Sequence, residues 1–159
     1  MILISFFRDK IKVFKPNSQN ICMMTKIRIA KALVRYKDKY LLLKKSTDLY
    51  FPENIGKWEC PGGIIENETS EETVLRETQE ETGLTCKLVK ELPSIQMTDK
   101  EVDSKCRLYL LESESDHVEL SKDHSEYQWV TPENVKHVNL VLYANLLLEF
   151  FNNSNKYLN

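Results

Sequence analysis

The chain has 159 residues, 42% of them apolar and 29% charged, with a formal net charge of -2. That length suits one domain with a full core, and the near-neutral balance offers no basic field for gripping a nucleic acid polymer while leaving small anionic ligands open. Cys22, Cys60, Cys86 and Cys106 lie far apart, with no Cys-x-x-Cys pair and no matching histidine cluster, so neither a zinc knuckle nor a disulfide scaffold is supported and reduced thiols of a cytoplasmic protein are expected.

The N-terminal ILISFF is too short before Arg8 for a signal-peptide core, and no apolar run approaches a membrane span, so no membrane association is expected. Met23-Met24 precedes TKIRIAKALV, which divides the chain into an extension over 1–25, a domain over 26–151 and a polar tail over 152–159. Ile27 to Tyr36, rich in β-branched residues, and Tyr40 to Lys45 form a hairpin across Lys37-Asp38-Lys39. Ser46 to Gly56 is a loop, and Trp58 to Cys60 and Ile64-Ile65 are short strand pieces around a Pro61-Gly62-Gly63 turn. Thr69 with Glu72 makes a capping box and Gly83 a left-handed stop, which predicts a helix from Ser70 to Thr82. Cys86 to Leu92, Cys106 to Leu111 and Tyr127 to Val130 read as strands. Pro132 opens a short helix, and Leu140 to Phe151 is a strongly apolar one.

Within the predicted helix, RETQEETGL sets Glu80 and Glu81 three and four residues after Glu77, where they are neighbours on one face. Each like-charge pair costs roughly 0.2–0.5 kcal/mol in water. A solvated acidic face is one reading of this crowding, and a cation site is the other. All four glycines, Gly56, Gly62, Gly63 and Gly83, lie in or beside this segment. A Gly-Gly pair lets the backbone approach a ligand closely, and carboxylates joined by a backbone carbonyl form an oxygen-only shell suited to Mg²⁺ or Mn²⁺.

Gly62, Glu68 and Arg76-Glu77-Thr78-Gln79-Glu80-Glu81-Thr82-Gly83-Leu84 resemble the Nudix box, G-x5-E-x7-R-E-U-x-E-E-x-G-U with U a bulky aliphatic residue, and the lead-in GKWECPGG is similar to that of MutT-like members. The resemblance implies an α+β Nudix fold, with a mixed β-sheet sandwiched between helices (α/β/α). Two departures stand out. Thr78 occupies an aliphatic position, and the five-residue spacer counts only from Gly62, so the loop Ile64 to Asn67 is one residue short and Asn67 stands in for a customary glycine.

The resemblance assigns Glu77, Glu80 and Glu81 to divalent cations, with the carbonyl of Gly62 or Gly63 as a further ligand, and gives Arg76 the task of holding a glutamate. A later carboxylate often completes such sites as metal ligand or base. In DHSEYQWV the matching residue is Asp123, with Glu126 as the alternative. His124 reads as a loop histidine, His117 and His137 have no metal-ligand spacing, and Trp58 and Trp129 read as packing residues. Asn139 reads either as a helix N-cap or as a base-reading residue.

The expected activity is metal-dependent pyrophosphohydrolysis of a nucleoside triphosphate, oxidised or non-standard ones included, to the monophosphate and pyrophosphate, by a monomer or homodimer. Hydrolases of ADP-ribose tend to carry a proline about fifteen residues past the box, and dinucleoside polyphosphate hydrolases a tyrosine slightly further on; here Thr98 and Asp99, then Lys100 to Val102, fill those places and Pro93 comes too early. A hydrolase of ADP-ribose or another nucleoside diphosphate derivative, and a non-catalytic nucleotide-binding domain, remain the alternatives. The second usually lacks box glutamates, which this chain retains.

Overall fold

The computed structural model describes residues 25–47, 54–98 and 102–141. Strand β1 (Thr25–Tyr36) is the spine of the fold. It turns at Lys37, whose positive φ of 55° closes the hairpin, into β2 (Lys39–Lys45). Strands β3 (Trp58–Glu59) and β4 (Gly62–Ile64) follow. After helix α1 (Ser70–Thr82) come β5 (Cys86–Thr98), β6 (Val102–Ser113), β7 (His124–Val130) and the short helix α2 (Pro132–Val135).

The sheet is mixed. Its order is β3-β2-β1-β6-β5, with β4 paired to β1 and β7 to β2. The pairing of β1 with β6 is parallel along its length, from Thr25↔Val102 to Arg35↔Glu112. Side chains alternate across the strands, which produces two apolar layers. Ala30, Ala32, Val34, Leu41, Leu43, Tyr109 and Leu111 pack with Val74 of α1 and with Leu84 just past its end. Leu33, Leu42, Cys106, Leu108 and Leu110 face the other way, against Val135, Leu140 and Val141. The expected α+β Nudix architecture is the one found. The apolar helix expected over Leu140 to Phe151 falls, beyond Val141, outside the described residues, as do Cys22 and the N-terminal extension up to residue 24.

Several expected boundaries move. Gly62 and Gly63 form part of a strand rather than a turn, because β4 pairs with β1 at Lys31↔Gly62 and Ala30↔Gly63. The strand expected over Cys86 to Leu92 runs on to Thr98, because Pro93 falls in a β-bulge between Leu92 and Ile95, where its missing N–H leaves no gap in the ladder. β7 begins at His124, not Tyr127, because the pairing with β2 continues past a bulge to Lys45↔His124. Cys60, Cys86 and Cys106 are free thiols whose pKa burial pushes up, to about 12, 11 and 11. Among the described residues no helix is long and apolar enough to cross a membrane.

Candidate active site

Helix α1 is fixed at both ends by its own sequence. The Thr69 hydroxyl accepts from the Glu72 N–H while the Glu72 carboxylate accepts from the Thr69 N–H, and Gly83 adopts the left-handed conformation at φ 71°. One face carries Thr73, Val74, Thr78 and Thr82 into the sheet. Thr78, fully buried, donates its hydroxyl to the Val74 carbonyl, and Thr82 donates to the Thr78 carbonyl, so burial leaves neither hydroxyl unsatisfied. The departure from an aliphatic residue at Thr78 is absorbed by this bond.

The opposite face carries the charges, and Arg76 organises them. Its guanidinium grips Glu68 through Nε (3.1 Å) and Nη2 (2.6 Å), reaches Glu77 Oε1 with Nη2 at 2.8 Å, and donates from Nη1 to Glu80 Oε2 at 3.0 Å. One planar cation thus offsets part of the repulsion between Glu77 and Glu80 and ties the short loop before Glu68 to the helix. The Arg76 bond also holds the Glu68 carboxyl below its ordinary pKa.

The two glycines have different tasks. A Cβ on Gly62, at φ 131°, would lie 2.2 Å from the Ala30 carbonyl oxygen, so glycine is required for β4 to approach β1. A Cβ on Gly63 would lie 2.7 Å from Cδ of Glu77, so the missing side chain leaves room for that carboxylate. Gly62 N–H donates to Glu81 Oε2 at 2.9 Å. Burial pushes the Glu81 carboxyl up to about 7, against the lowering pull of Lys31 and His124.

Behind Glu81 lies a buried charge network that sequence reasoning missed. Lys31, 7% exposed, donates from Nζ to the carbonyls of Gly62 (2.8 Å) and Cys60 (3.1 Å) and to Glu59 Oε2 (3.2 Å). Burial lowers the Lys31 pKa, but Glu59 and Glu81 more than offset this, and the net shift is upward. Glu59, 4% exposed, also meets Lys45 Nζ and His124 Nε2, both at 3.1 Å. His124 is therefore not a loop histidine: it is buried at the first position of β7 and engaged with a carboxylate. The alternation of β1 gave no reason to single out Lys31, and its partner Glu59 and, on the far side of that carboxylate, His124 come from other strands.

The remaining candidates make no hydrogen bond or ion pair with the glutamates of α1 among the described residues. Asp123 is exposed in the turn before β7; its carbonyl accepts from Ser46 N–H and its N–H approaches the Ser121 hydroxyl, while its carboxylate enters none of the hydrogen bonds seen among the described residues. The same turn is docked on α1, since Ser121 N–H donates to the Glu81 carbonyl. Glu126 is exposed and pairs with Lys44 at 2.7 Å across the β2–β7 ladder. Asn139 is exposed, and its carbonyl accepts from Trp58 N–H at 2.9 Å. Trp58 and Trp129 pack on opposite apolar layers, as expected.

Among the described residues, no three or more Asp, Glu, His or Cys side chains converge as a ready-made metal cage. Arg76 draws Glu77 and Glu80, and Gly62 N–H draws Glu81, in different directions. The donors are nevertheless all oxygens, with Glu77 seated in the space that Gly63 leaves and Glu80 on the solvent side. That chemistry fits a hard divalent cation, which keeps several waters and needs only one or two carboxylates.

The NUDIX domain family model matches residues 26–149, and the chain belongs to the Nudix family. It is a Nudix hydrolase, of the class that hydrolyses nucleoside diphosphate derivatives with the help of divalent cations. The crystal structure of a MutT protein from Methanosarcina mazei Go1 is similar at 31% identity and TM-score 0.71, covering 84% of this chain and 97% of that one. A MutT Nudix hydrolase from Burkholderia pseudomallei shares the fold at 22% identity and TM-score 0.66, covering 79% and 97%. The E. coli ORF135 protein shares it at 24% identity and TM-score 0.64, covering 80% and 89%. No functionally curated protein matches the chain.

Proposed function

We propose that the protein is a Mg²⁺- or Mn²⁺-dependent pyrophosphohydrolase that cleaves a nucleoside triphosphate, oxidised or non-standard ones included, to the monophosphate and pyrophosphate. The observation that carries this reading is the simultaneous grip of Arg76 on Glu68, Glu77 and Glu80, which ties three carboxylates of the motif to one guanidinium on the face of α1 beside β4. A bound divalent ion would screen the charge of the diphosphate and make a bound water more acidic.

Glu77, Glu80 and Glu81 would hold the cation, and Arg76 orients the first two without touching substrate. The base that accepts a proton from the attacking water is assigned to Asp123, whose exposed carboxylate enters none of the hydrogen bonds seen among the described residues, with Glu126, paired with Lys44, as the alternative. Asn139, exposed beside Trp58, is assigned to the nucleobase edge, where an amide both donates and accepts.

The test is a panel of normal and oxidised nucleoside triphosphates, ADP-ribose and nucleotide sugars with Mg²⁺ or Mn²⁺, with products identified. A triphosphate yielding pyrophosphate with the highest kcat/KM is expected. A tenfold preference for ADP-ribose or a nucleotide sugar would replace this reading.

A further inference from the structure

Asp123 and His124 are adjacent in sequence, yet the first is exposed and the second buried, with only 2% of its imidazole open to solvent. A bulge makes this possible. The β2–β7 ladder is regular from Tyr40↔Val130 to Lys44↔Glu126, then passes over Ser125 and resumes at Lys45↔His124. With strict alternation His124 would share the exposed face of Glu126; the extra residue puts it on the face of Lys45 instead. There its Nε2 meets Glu59 Oε1 at 3.1 Å, on the same carboxylate that Lys45 (3.1 Å) and Lys31 (3.2 Å) hold. Between two ammonium groups Glu59 is ionised and can only accept, so Nε2 carries the proton. The Nδ1 atom of the ring lies 3.5 Å from the Ser121 hydroxyl.

Residues 114–123 form neither helix nor strand, so no ladder of their own fixes Asp123. Separate contacts pin the stretch instead. Glu119 and Ser121 N–H donate to the Thr82 and Glu81 carbonyls at the end of α1, Ser46 N–H donates to the Asp123 carbonyl, and the Ser46 hydroxyl donates to the Lys122 carbonyl. His124 adds an anchor directed inward, into the charge network behind Glu81. We infer that His124 is a positioning residue for Asp123: its imidazole, seated on Glu59, locks the bulge that ends this stretch and so holds the Asp123 carboxylate at the Glu81 end of the site. The inference rests on the assignment of Asp123 as the base. His124 does not take the proton itself, because its ring is closed to solvent and its Nε2 is engaged by Glu59. It acts by fixing its neighbour, since a misplacement of about 1 Å can cost on the order of a hundredfold in rate.

The test is a double-mutant cycle, run at saturating Mg²⁺ on the substrate that the panel above turns over fastest. Asp123→Asn should lower kcat by about a hundredfold. His124→Phe, a ring without the donor, should lower kcat by about tenfold or more with KM held within about threefold. His124→Gln, whose amide N–H can reach Glu59, should lose less than about threefold. In the Asp123→Asn background His124→Phe should cause no further fall, because the group it positions is gone. An equal fall in both backgrounds would show that His124 does not act through Asp123, which would overturn the inference and leave the base in place. Asp123→Asn at full activity would overturn the assignment of the base, and the inference with it. A measurement on the unmodified protein covers the case in which His124→Phe does not fold. The His124 Nε2 proton should give a resolved NMR resonance, and the Ser121 amide should exchange as slowly as those in the last turn of α1. A freely exchanging Ser121 amide, or an Nε2 without its proton, would show a stretch that is not held and would sink the inference.

Discussion

Gly63 and the Glu77 carboxylate share one space: a Cβ on the glycine would lie 2.7 Å from Glu77 Cδ and 2.8 Å from its Oε1. Gly63→Ala therefore pushes the carboxylate away, and because that carboxylate is the end of a flexible side chain the fold gives easily. The expected outcome is a change in stability within about 1 kcal/mol and a fall in kcat/KM of about a hundredfold, on the order of 3 kcal/mol of transition-state stabilisation. Thermal unfolding and steady-state kinetics on the same preparation check both halves.

Gly62→Ala has the opposite profile. The obstacle is backbone, the Ala30 carbonyl oxygen at 2.2 Å, and φ is 131°, where an alanine is strained. β4 would have to separate from β1, with a loss of roughly 2–4 kcal/mol. Denaturant unfolding should show Gly62→Ala far less stable than Gly63→Ala, although the two residues are adjacent.

Much of this site was legible in the sequence because its signals are local. Thr69, Glu72 and Gly83 carry the information for α1 within one short segment, and the helix starts and ends where they predict. The four-residue spacing of Arg76 and Glu80 likewise sets their contact by helical geometry. The Lys31–Glu59–His124 network was not legible, since its contacts span 28 and 65 positions and depend on how β1, β3 and β7 are placed. A lysine amid alternating apolar residues gives no sign that it has buried acceptors. The strand pairing of Gly62 and Gly63 was hidden for the same reason: a Pro-Gly-Gly sequence has the local chemistry of a turn, and only the approach of β1 draws it into the sheet.

Arg76→Lys keeps the positive charge and removes the planar fork. A single ammonium cannot serve Glu68, Glu77 and Glu80 together as the guanidinium does. These pairs are partly exposed, so stability should change by less than about 1 kcal/mol. Turnover should fall by about 10- to 100-fold with the mid-point for Mg²⁺ activation moved to higher concentration. An Arg76→Lys variant with unchanged Mg²⁺ dependence would remove Arg76 from the organisation of the site.

Glu59 is the counter-charge of Lys31, Lys45 and His124. Glu59→Ala leaves a buried ammonium without its carboxylate, a change that typically costs about 3–5 kcal/mol. Glu59→Gln keeps the shape and one acceptor and should lose less. If Glu59→Ala unfolds at the same denaturant concentration as the unmodified protein, the network does not contribute to stability.

Glu81 makes stability depend on pH in the sense opposite to an ordinary ion-paired carboxylate. Burial pushes its folded-state pKa from 4.5 up to about 7, so the folded chain binds this proton more tightly than the unfolded one. Below 4.5 both states are protonated and the group favours neither. As pH rises through the window from 4.5 to 7, the unfolded state gains by ionising first, and stability falls; above 7 the loss is complete. At about 1.4 kcal/mol per pKa unit the loss amounts to a few kcal/mol, or on the order of 10 °C in Tm for a domain of this size. Thermal unfolding in EDTA should therefore show the unmodified protein losing stability relative to Glu81→Gln between pH 4.5 and 7.5, since the amide carries no ionisable proton. Adding Mg²⁺ at pH 7.5 should restore the unmodified protein and not the variant, because a cation that binds the ionised carboxylate stabilises only the state that presents it. Parallel pH profiles of the two proteins in EDTA would show that Glu81 titrates normally in the folded chain.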